Sequence, residues 1–439
     1  MIALLIIALV AVTLYAVASP FIGTIGLLGV IFIRPGEIYP SLDPLHIERV
    51  LSIVVMAAFL FHGNRLQFPK VTKALLIFWA AMFCSVPASF WPGGALQGTV
   101  DFGKAVIYYL LISNLATTSR RLRWMLITFC IMVGWLAGQA LVQYIKGASH
   151  YTMGIDRAIG LNSLSNDPNA LGITLVTALP IIALFGYRGT GSIRWLAWGL
   201  LAVCVWTTIL TGSRASYITF AVLAFLYALT SKRRVASVLL VVILVAGLWV
   251  AMPDQYKSRL ETVTDLSDDA SYQGRLMAWR AGWETFKENP LTGVGTTMFL
   301  DSRGAKTGHW LNVHSLYIQV LAELGLLGTL AFGGFLVSIF QQNLRMSREF
   351  ADSADLPVWL AQFPRACSLS LVALLVAGYS GHLLYRETWY LLAAFSTAAL
   401  VVMKGSEFGK HEVPALISEP AENYQLGSTD DYAWSSKSF

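Results

Sequence analysis

Long apolar segments recur along almost the whole chain, and they restrict its fold more than any other feature. A helix needs about 20 mainly apolar residues to cross a bilayer. Thirteen segments approach or meet that length, namely 2–18, 21–33, 48–62, 72–91, 101–116, 123–145, 169–187, 193–210, 214–230, 234–252, 313–341, 363–385 and 387–403. Only 13% of the residues are charged, against about 25% in average globular chains. The sequence therefore predicts an all-α, polytopic integral membrane protein.

The number of spans depends on the amino terminus. Segments 2–18 and 21–33 are short, and only Ser19 and Pro20 separate them, so they form either a tight hairpin or one broken element. We therefore expect 12 or 13 transmembrane helices. No basic residue precedes the first apolar stretch, which favours an uncleaved membrane helix over a signal peptide.

Basic residues orient the predicted spans. They concentrate in alternate loops, which the positive-inside rule assigns to the cytoplasm. The clusters are Arg65/Lys70/Lys73, Arg120/Arg121/Arg123, Arg188/Arg194, Lys232/Arg233/Arg234 and Arg345/Arg348/Arg365. The connections 92–100, 146–168, 211–213 and 253–312 are then predicted to lie outside.

This pattern divides the chain into four parts. Residues 1–252 are predicted to form a transmembrane bundle, 253–312 a large periplasmic loop, and 313–403 the C-terminal spans. Residues 404–439 are polar and aperiodic, as expected of a disordered cytoplasmic tail. The loop carries 15 charged residues, and a loop of this length is usually functional.

Within the loop, apolar residues recur at spacings of 3, 4 and 3, which predicts an amphipathic helix. They are Leu276, Trp279, Trp283 and Phe286. Gly274 and Pro290 are predicted to bracket this helix, which lies either on the outer membrane surface or against the bundle.

Four residues on the outer side are candidates for chemistry: Arg214, Arg275, Arg280 and His314. The arginine fork suits phosphate oxygens, and several arginines suit a diphosphate. Histidine can act as a base near neutral pH. Each also has a structural interpretation, because interfacial arginines reach for water or lipid phosphate and a single histidine is often structural. Nearby, Asp167 is predicted to cap a helix whose first turn contains Pro168.

Several other kinds of site have no support in the sequence. No glycine-rich nucleotide motif follows a strand, and no Asp-x-Asp pair or His/carboxylate cluster suggests a metal site. The net charge of +6 comes from short loop clusters, a pattern that does not suggest nucleic-acid binding. We therefore expect no cofactor, no metal and no nucleic-acid partner.

Three pieces of the chain, taken in order, resemble the O-antigen ligase family, which is similar to O-antigen polymerases and protein O-oligosaccharyltransferases. They are "TGSRASYITF", "GRLMAWRAGWETFKENPLTGVGTTMF" and "NVHSLYIQVLAELGLLG", within about 211–330. The arginine, the "NPLTGVG" segment and the histidine followed by "ELGLLG" are specific for the superfamily but weak for choosing among its members.

The resemblance implies a metal-independent, inverting glycosyltransferase at the periplasmic face of the bacterial inner membrane. Its donor would be a glycan on undecaprenyl diphosphate, and its acceptor the lipid A–core oligosaccharide. By motif, Arg214 and Arg275 would bind the diphosphate and His314 would be the catalytic base. Arg280 is a further candidate phosphate ligand with weaker motif support.

Alternatives remain open within and beyond this enzyme class. Transfer to another lipid-linked repeat (a polymerase) or to protein Ser/Thr would use the same donor. A polyprenyl-glycan transporter would have polar residues along a path across the whole bilayer, whereas here they gather on one side. The sequence gives no indication of oligomeric state.

Overall fold

The computed structural model describes residues 2–152, 154–229, 254–261, 270–351, 353 and 355–411, with isolated positions between 235 and 250. Of the residues that the structure describes, 78% are helical, and the described fold is nearly all-α. The described helices are α1 (Ile2–Ala18), α2 (Pro20–Ile33), α3 (Pro35–Ile38), α4 (Ile47–Phe61), α5 (Lys70–Ser85), α6 (Pro92–Leu115), α7 (Ser119–Ile145), α8 (Pro168–Arg188), α9 (Gly191–Leu210), α10 (Arg214–Leu229), α11 (Asp254–Glu261), α12 (Ala270–Glu288), α13 (Phe299–Thr307), α14 (Leu316–Glu349), α15 (Val358–Gly378) and α16 (Glu387–His411), with a 3-10 helix at Pro40–Leu45. Most of the predicted span 234–252, the basic cluster 232–234 and the tail beyond His411 lie outside the described residues.

Eight helical segments are long and apolar enough to cross a membrane, by length and composition, among the residues that the structure describes. They are Pro20–Ile38, Pro40–Phe61, Ser119–Ile145, Pro168–Arg188, Gly191–Leu210, Leu316–Glu349, Val358–Gly378 and Glu387–Gly405. Ile6–Ala18 and Arg214–Leu229 are shorter apolar helices. A multi-pass membrane protein is thus confirmed, while the number of 12 or 13 spans and the periplasmic placement of the large loop stay predictions.

One predicted boundary was wrong. Residues 92–100 were expected to be an outside loop before a span at 101–116, but α6 already begins at Pro92. The first half of this helix is polar, and Gln97, Asp101 and Lys104 line a cavity. Apolarity alone therefore could not reveal where the helix starts.

The first two helices form the hairpin that was one of the two expected arrangements. Val12 lies beside Gly26, and Ala16 lies beside Gly23. Moving away from the turn at Ser19, each step back along α1 thus meets a step forward along α2. The two helices are therefore antiparallel. Small residues let the two backbones approach closely, as in membrane helix pairs.

The core is a continuous cluster of apolar side chains in which α8 and α16 are the most deeply placed spans. In each, 78% of the most apolar 18-residue stretch is buried. Trp389, Tyr390 and Phe395 of α16 are fully buried, and Phe395 contacts Phe129 of α7 edge to face. The starts of α8 and α16 are therefore fixed positions to which loops can attach.

A small antiparallel sheet interrupts the helical pattern inside the connection 146–168. Strands β1 (His150–Thr152) and β2 (Ile155–Arg157) pair with Tyr151 opposite Asp156. The sheet holds Arg157 at its end, and this arginine is buried. The sequence alone predicts no regular structure in this segment.

A kink divides α14 and brings the loop of residues 290–295 against it. Gly325 has φ 60° and ψ −159°, a conformation that is essentially confined to glycine. The amide of Leu326 donates to the Pro290 carbonyl (2.8 Å), and that of Gly295 donates to the Glu323 carbonyl (2.9 Å). The second and third of the quoted motif pieces are thus joined through backbone hydrogen bonds.

We predict that Gly325→Ala destabilises the protein. The new Cβ would lie 2.5 Å from the Leu291 carbonyl carbon, and the backbone conformation alone costs about 1–3 kcal/mol for other residues. Thermal unfolding in detergent should show a melting temperature lower by about 2 °C or more.

Gly333→Ala in the same helix is the matched control. A Cβ there would meet nothing within 4 Å, and alanine favours the helix interior over glycine. Its melting temperature should be unchanged or higher, and an equal loss in both variants would contradict the role of the kink.

Candidate active site

The start of α8 is the point on which the polar groups converge. The Asp167 carboxylate accepts the Ala170 amide (2.7 Å), and Pro168 occupies the first turn, so the predicted helix start is confirmed. On a neighbouring face, the Arg386 guanidinium donates to the Thr174 hydroxyl (2.9 Å) and the Ala170 carbonyl (3.4 Å). Arg386 lies just before α16, so this contact ties the two most buried spans together at one end.

Arg214 begins α10 immediately after a tight turn. Gly212 in this turn has a positive φ of 59°, and Ser213 and Ser216 are fully buried, with the Ser216 hydroxyl donating to that of Ser213 (3.0 Å). The Ser216 side chain lies directly beside Gly172 of α8, where a Cβ would come within 2.4 Å of its oxygen. Arg214 is partly buried, and its helix meets α8 near the start of that helix through Ser216.

Arg157 holds that turn in place through hydrogen bonds. Its Nε donates to the Thr211 carbonyl (2.6 Å), and its Nη2 donates to Asn169 Oδ1 (2.9 Å). Only 4% of Arg157 is exposed, so the cation is held by oxygen atoms from both neighbours. Sequence reasoning missed this residue, because its partners lie 12 and 54 positions away.

His314 lies at the end of a loop that α13 holds in place. The Arg303 guanidinium donates to the Leu311 carbonyl (3.0 Å), and the Trp310 indole packs directly on Gly304. His314 itself has a positive φ of 45°, a conformation that is uncommon for residues other than glycine. Such backbone outliers often occur at functional sites, and here the outlier falls on the residue predicted to be the base.

A second histidine, which the sequence analysis did not select, lies against the first. The rings of His314 and His382 meet edge to face with centroids 5.2 Å apart. Burial lowers the pKa of His314, the positive charge of Arg275 lowers it further, and Asp167 opposes both. A histidine with a lowered pKa is neutral at pH 7 and can accept a proton.

Arg275 and Arg280 lie on α12 in different surroundings. Arg275 is partly buried and close enough to His314 for its charge to act on the imidazole. Arg280 is exposed, and five residues along a helix correspond to a rotation of about 140°. The geometry therefore groups Arg275, but not Arg280, with His314.

The predicted helix in the large loop is confirmed as α12, and it packs against the bundle. Gly282 lies directly beside Ile318 of α14, and Trp279 contacts Tyr379 edge to face. Trp283, by contrast, is 47% exposed. Gly274 does not bracket the helix as predicted, because α12 begins at Ala270.

Asn162, near the predicted cap, has a structural role. Its amide donates to the Phe32 carbonyl (2.7 Å) and its Oδ1 accepts the Ser165 hydroxyl (2.8 Å). It therefore fixes the loop before α8 to the end of α2.

Comparison with known proteins supports the resemblance found in the sequence. A family model described as O-antigen ligase matches residues 199–333, which include all three quoted motif pieces. No curated protein matches the chain significantly. One similar solved structure comes from work on the structural coordination of polymerization and crosslinking by a peptidoglycan synthase complex. It shares 16% identity over 76% of this chain and 97% of that chain, with a TM-score of 0.41.

We predict that the histidine pair makes the stability of the protein depend on pH. Burial, the neighbouring His314 and Arg386 lower the pKa of His382 to about 4, with Asp167 opposing, whereas an unfolded histidine titrates near 6.5. Between these values the unfolded chain binds the extra proton, so the free energy of unfolding should fall as pH drops from about 6.5 to about 4.

We expect His382→Gln to remove part of that dependence. Melting temperatures measured from pH 7 to pH 4 should fall less steeply for this variant than for the wild type. His150→Gln provides the control, because His150 is exposed in β1 and should leave the slope unchanged. If the melting temperatures of His382→Gln and the wild type fell equally steeply with pH, His382 would not be a source of this pH dependence.

Proposed function

Residues 199–333 match the O-antigen ligase family, and from that premise we propose that this membrane protein is an O-antigen ligase. It would transfer a glycan from undecaprenyl diphosphate to the lipid A–core oligosaccharide at the periplasmic face of the bacterial inner membrane. The observation that carries the proposal is the grouping of a partly buried arginine with a partly buried histidine whose pKa its charge lowers. Arg275 acts on His314 across the gap between α12 and the start of α14.

The donor would be held by its diphosphate. Arg214 and Arg275 come from separate elements, and both are partly buried, so neither is held as a fully solvated surface charge. A planar guanidinium can pair with two phosphate oxygens at once. Arg280 would contribute only if the diphosphate or its lipid reached the exposed face of α12.

The proposed chemical step is a single displacement. The acceptor hydroxyl gives its proton to the His314 imidazole while its oxygen attacks the anomeric carbon. The bond between that carbon and the diphosphate oxygen breaks, and the leaving diphosphate takes the electron pair. Arginines stabilise the charge that grows on it, without a metal ion, and one displacement inverts the anomeric configuration.

Asp167 and Arg275 would tune the base. Asp167 favours the imidazolium that forms during transfer, while burial and Arg275 keep His314 neutral beforehand. The lowered pKa places the acid limb of the rate profile below the ordinary value of about 6.5. Transfer should therefore persist into mildly acidic buffer and be lost as His314 becomes protonated.

Transfer to a second lipid-linked repeat or to protein Ser/Thr would use the same donor site and remains the alternative. Comparison of lipopolysaccharide, capsule and glycoprotein profiles in a deletion strain separates the three outcomes. Loss of O-antigen from lipid A–core with normal chain length on the polyprenyl carrier is expected for a ligase.

The proposed orientation can be tested with cysteine labelling. Cys84 is exposed and the other three cysteines are buried, so Cys84→Ala provides the background. Ala148→Cys and Ser192→Cys occupy exposed positions, the first in the loop after α7 and the second in the first turn of α9. On intact spheroplasts a membrane-impermeant maleimide should label position 148 but not 192. The reverse pattern would place the candidate site in the cytoplasm.

The assigned roles predict a separation between binding and turnover. His314→Ala should lose about 10²–10⁴-fold in transfer rate and keep its affinity for undecaprenyl-diphosphate glycan, since the base acts on the acceptor. Arg214→Lys and Arg275→Lys keep the charge but lose the fork, so donor affinity should fall in both.

Arg345→Lys is the matched control for these variants. Arg345 pairs with Glu349 (2.6 Å) at the far end of α14 and is exposed, so donor affinity and rate should stay at wild-type levels. Purified variants in detergent, assayed with donor and lipid A–core, supply both measurements. Normal turnover by His314→Ala would show that this histidine is structural.

A further inference from the structure

A cavity lies beside the candidate active site, on the other side of the loop that joins α15 to α16. Its volume is about 770 Å³, within the range of about 300–1,000 Å³ that is typical of small-molecule sites. The starts of α4 and α6 form two of its walls. The residues that carry its chemistry are Glu48, Trp91, Gln97, Asp101, Tyr385 and Glu387.

Trp91 supplies an apolar platform in this cavity. Its indole is 59% exposed, although it packs on the first turn of α6, where a Cβ at Gly94 would come within 2.5 Å of the ring. The glycine backbone thus supports the ring while much of it stays open. An aromatic face carries partial negative charge, which attracts the polarised C–H groups on one face of a sugar ring.

Carboxylates in the cavity are already oriented by other groups. Asp101 accepts the Gln97 amide and the Arg49 guanidinium, each at 2.9 Å. Glu387 accepts Arg34 (2.6 Å), and Glu48 accepts the Tyr108 hydroxyl. An ionised carboxylate has about four acceptor positions, so each can still accept hydroxyl donors from a ligand.

The charge of this lining disfavours a phosphate. Three carboxylates, from Glu48, Asp101 and Glu387, face the cavity, and Lys104 is the basic residue among its lining. Arg49 and Arg34 already pair with Asp101 and Glu387, so an anionic ligand would compete with these carboxylates for their cations. A neutral ligand rich in hydroxyl groups would instead find acceptors and an aromatic platform. The lining therefore differs from the surroundings of His314, where the charge of Arg275 acts on the imidazole.

We propose that this cavity is a glycan-binding subsite for an uncharged segment of a sugar chain. The proposal rests on the proposed function insofar as that function supplies the glycan. Arg386 contacts α8 at the candidate active site, and its two sequence neighbours, Tyr385 and Glu387, line the cavity. A glycan seated in the cavity would thus lie one loop away from the reacting groups.

Direct binding tests the subsite without requiring transfer. The full-length protein in detergent is mixed with neutral oligosaccharides released by mild acid from the source bacterium's surface glycans, and saturation-transfer NMR reports affinity. Trp91→Ala and Gln97→Ala should each weaken binding about three- to tenfold. Trp195→Ala, at an indole that is 73% exposed outside the cavity, should bind like the wild type.

Because Gln97 is exposed, Gln97→Ala keeps the test valid if Trp91→Ala does not fold. His314→Ala should retain oligosaccharide binding. If the wild type binds glycan through Trp91 but transfers nothing, the proposed function fails while the subsite stands. Absence of binding, or equal affinity in Trp91→Ala, Gln97→Ala and the wild type, would overturn the subsite.

Kinetics identify which glycan occupies the cavity. If it is the acceptor, Trp91→Ala should raise KM for lipid A–core several-fold with little change in kcat. If it is the donor glycan, the same rise should appear in KM for the polyprenyl-diphosphate substrate. A fall in kcat with neither KM changed would contradict a binding role.

Discussion

The contact between the backbone of residues 290–295 and the bend of α14 is the constraint on which the rest of the site depends. Gly293 and Gly325 both have positive φ, and a Cβ on either would lie within 2.5 Å of the opposite backbone. No side chain stands between the two segments at these points. This contact fixes α12 before the loop and α13 after it relative to α14, so that Arg275 lies near His314.

The charged groups around the start of α8 are compensated by polar atoms of neighbouring segments. Arg157 and Arg386 are held by carbonyl, amide and hydroxyl oxygens near its first turns, while Asp167 acts on both histidines. Buried cations need such compensation because an isolated charge is costly away from water. The supporting arginines thus keep these helix ends in place through contacts with protein oxygens.

Much of this fold follows from local pattern, and the remainder follows from contacts between distant residues. Apolar runs predicted the long spans, Asp167 and Pro168 predicted the start of α8, and the spacing from Leu276 to Phe286 predicted α12. Arg386 meets Thr174 across 212 positions, and no local signal marks it or His382. The kink at Gly325 could not be predicted from the sequence, because the apolar pattern around it continues as in an unbroken helix.

The loop before α16 has a consequence for how specificity could change. Tyr385 and Glu387 face the cavity while Arg386 grips α8, and consecutive Cα atoms are only about 3.8 Å apart. A single length of backbone therefore separates the lining of the cavity from the contact with α8. A substitution that moves this backbone to reshape the cavity would also move Arg386 on α8, so we expect new sugar preferences to evolve more readily through the residues of α6 that line the cavity.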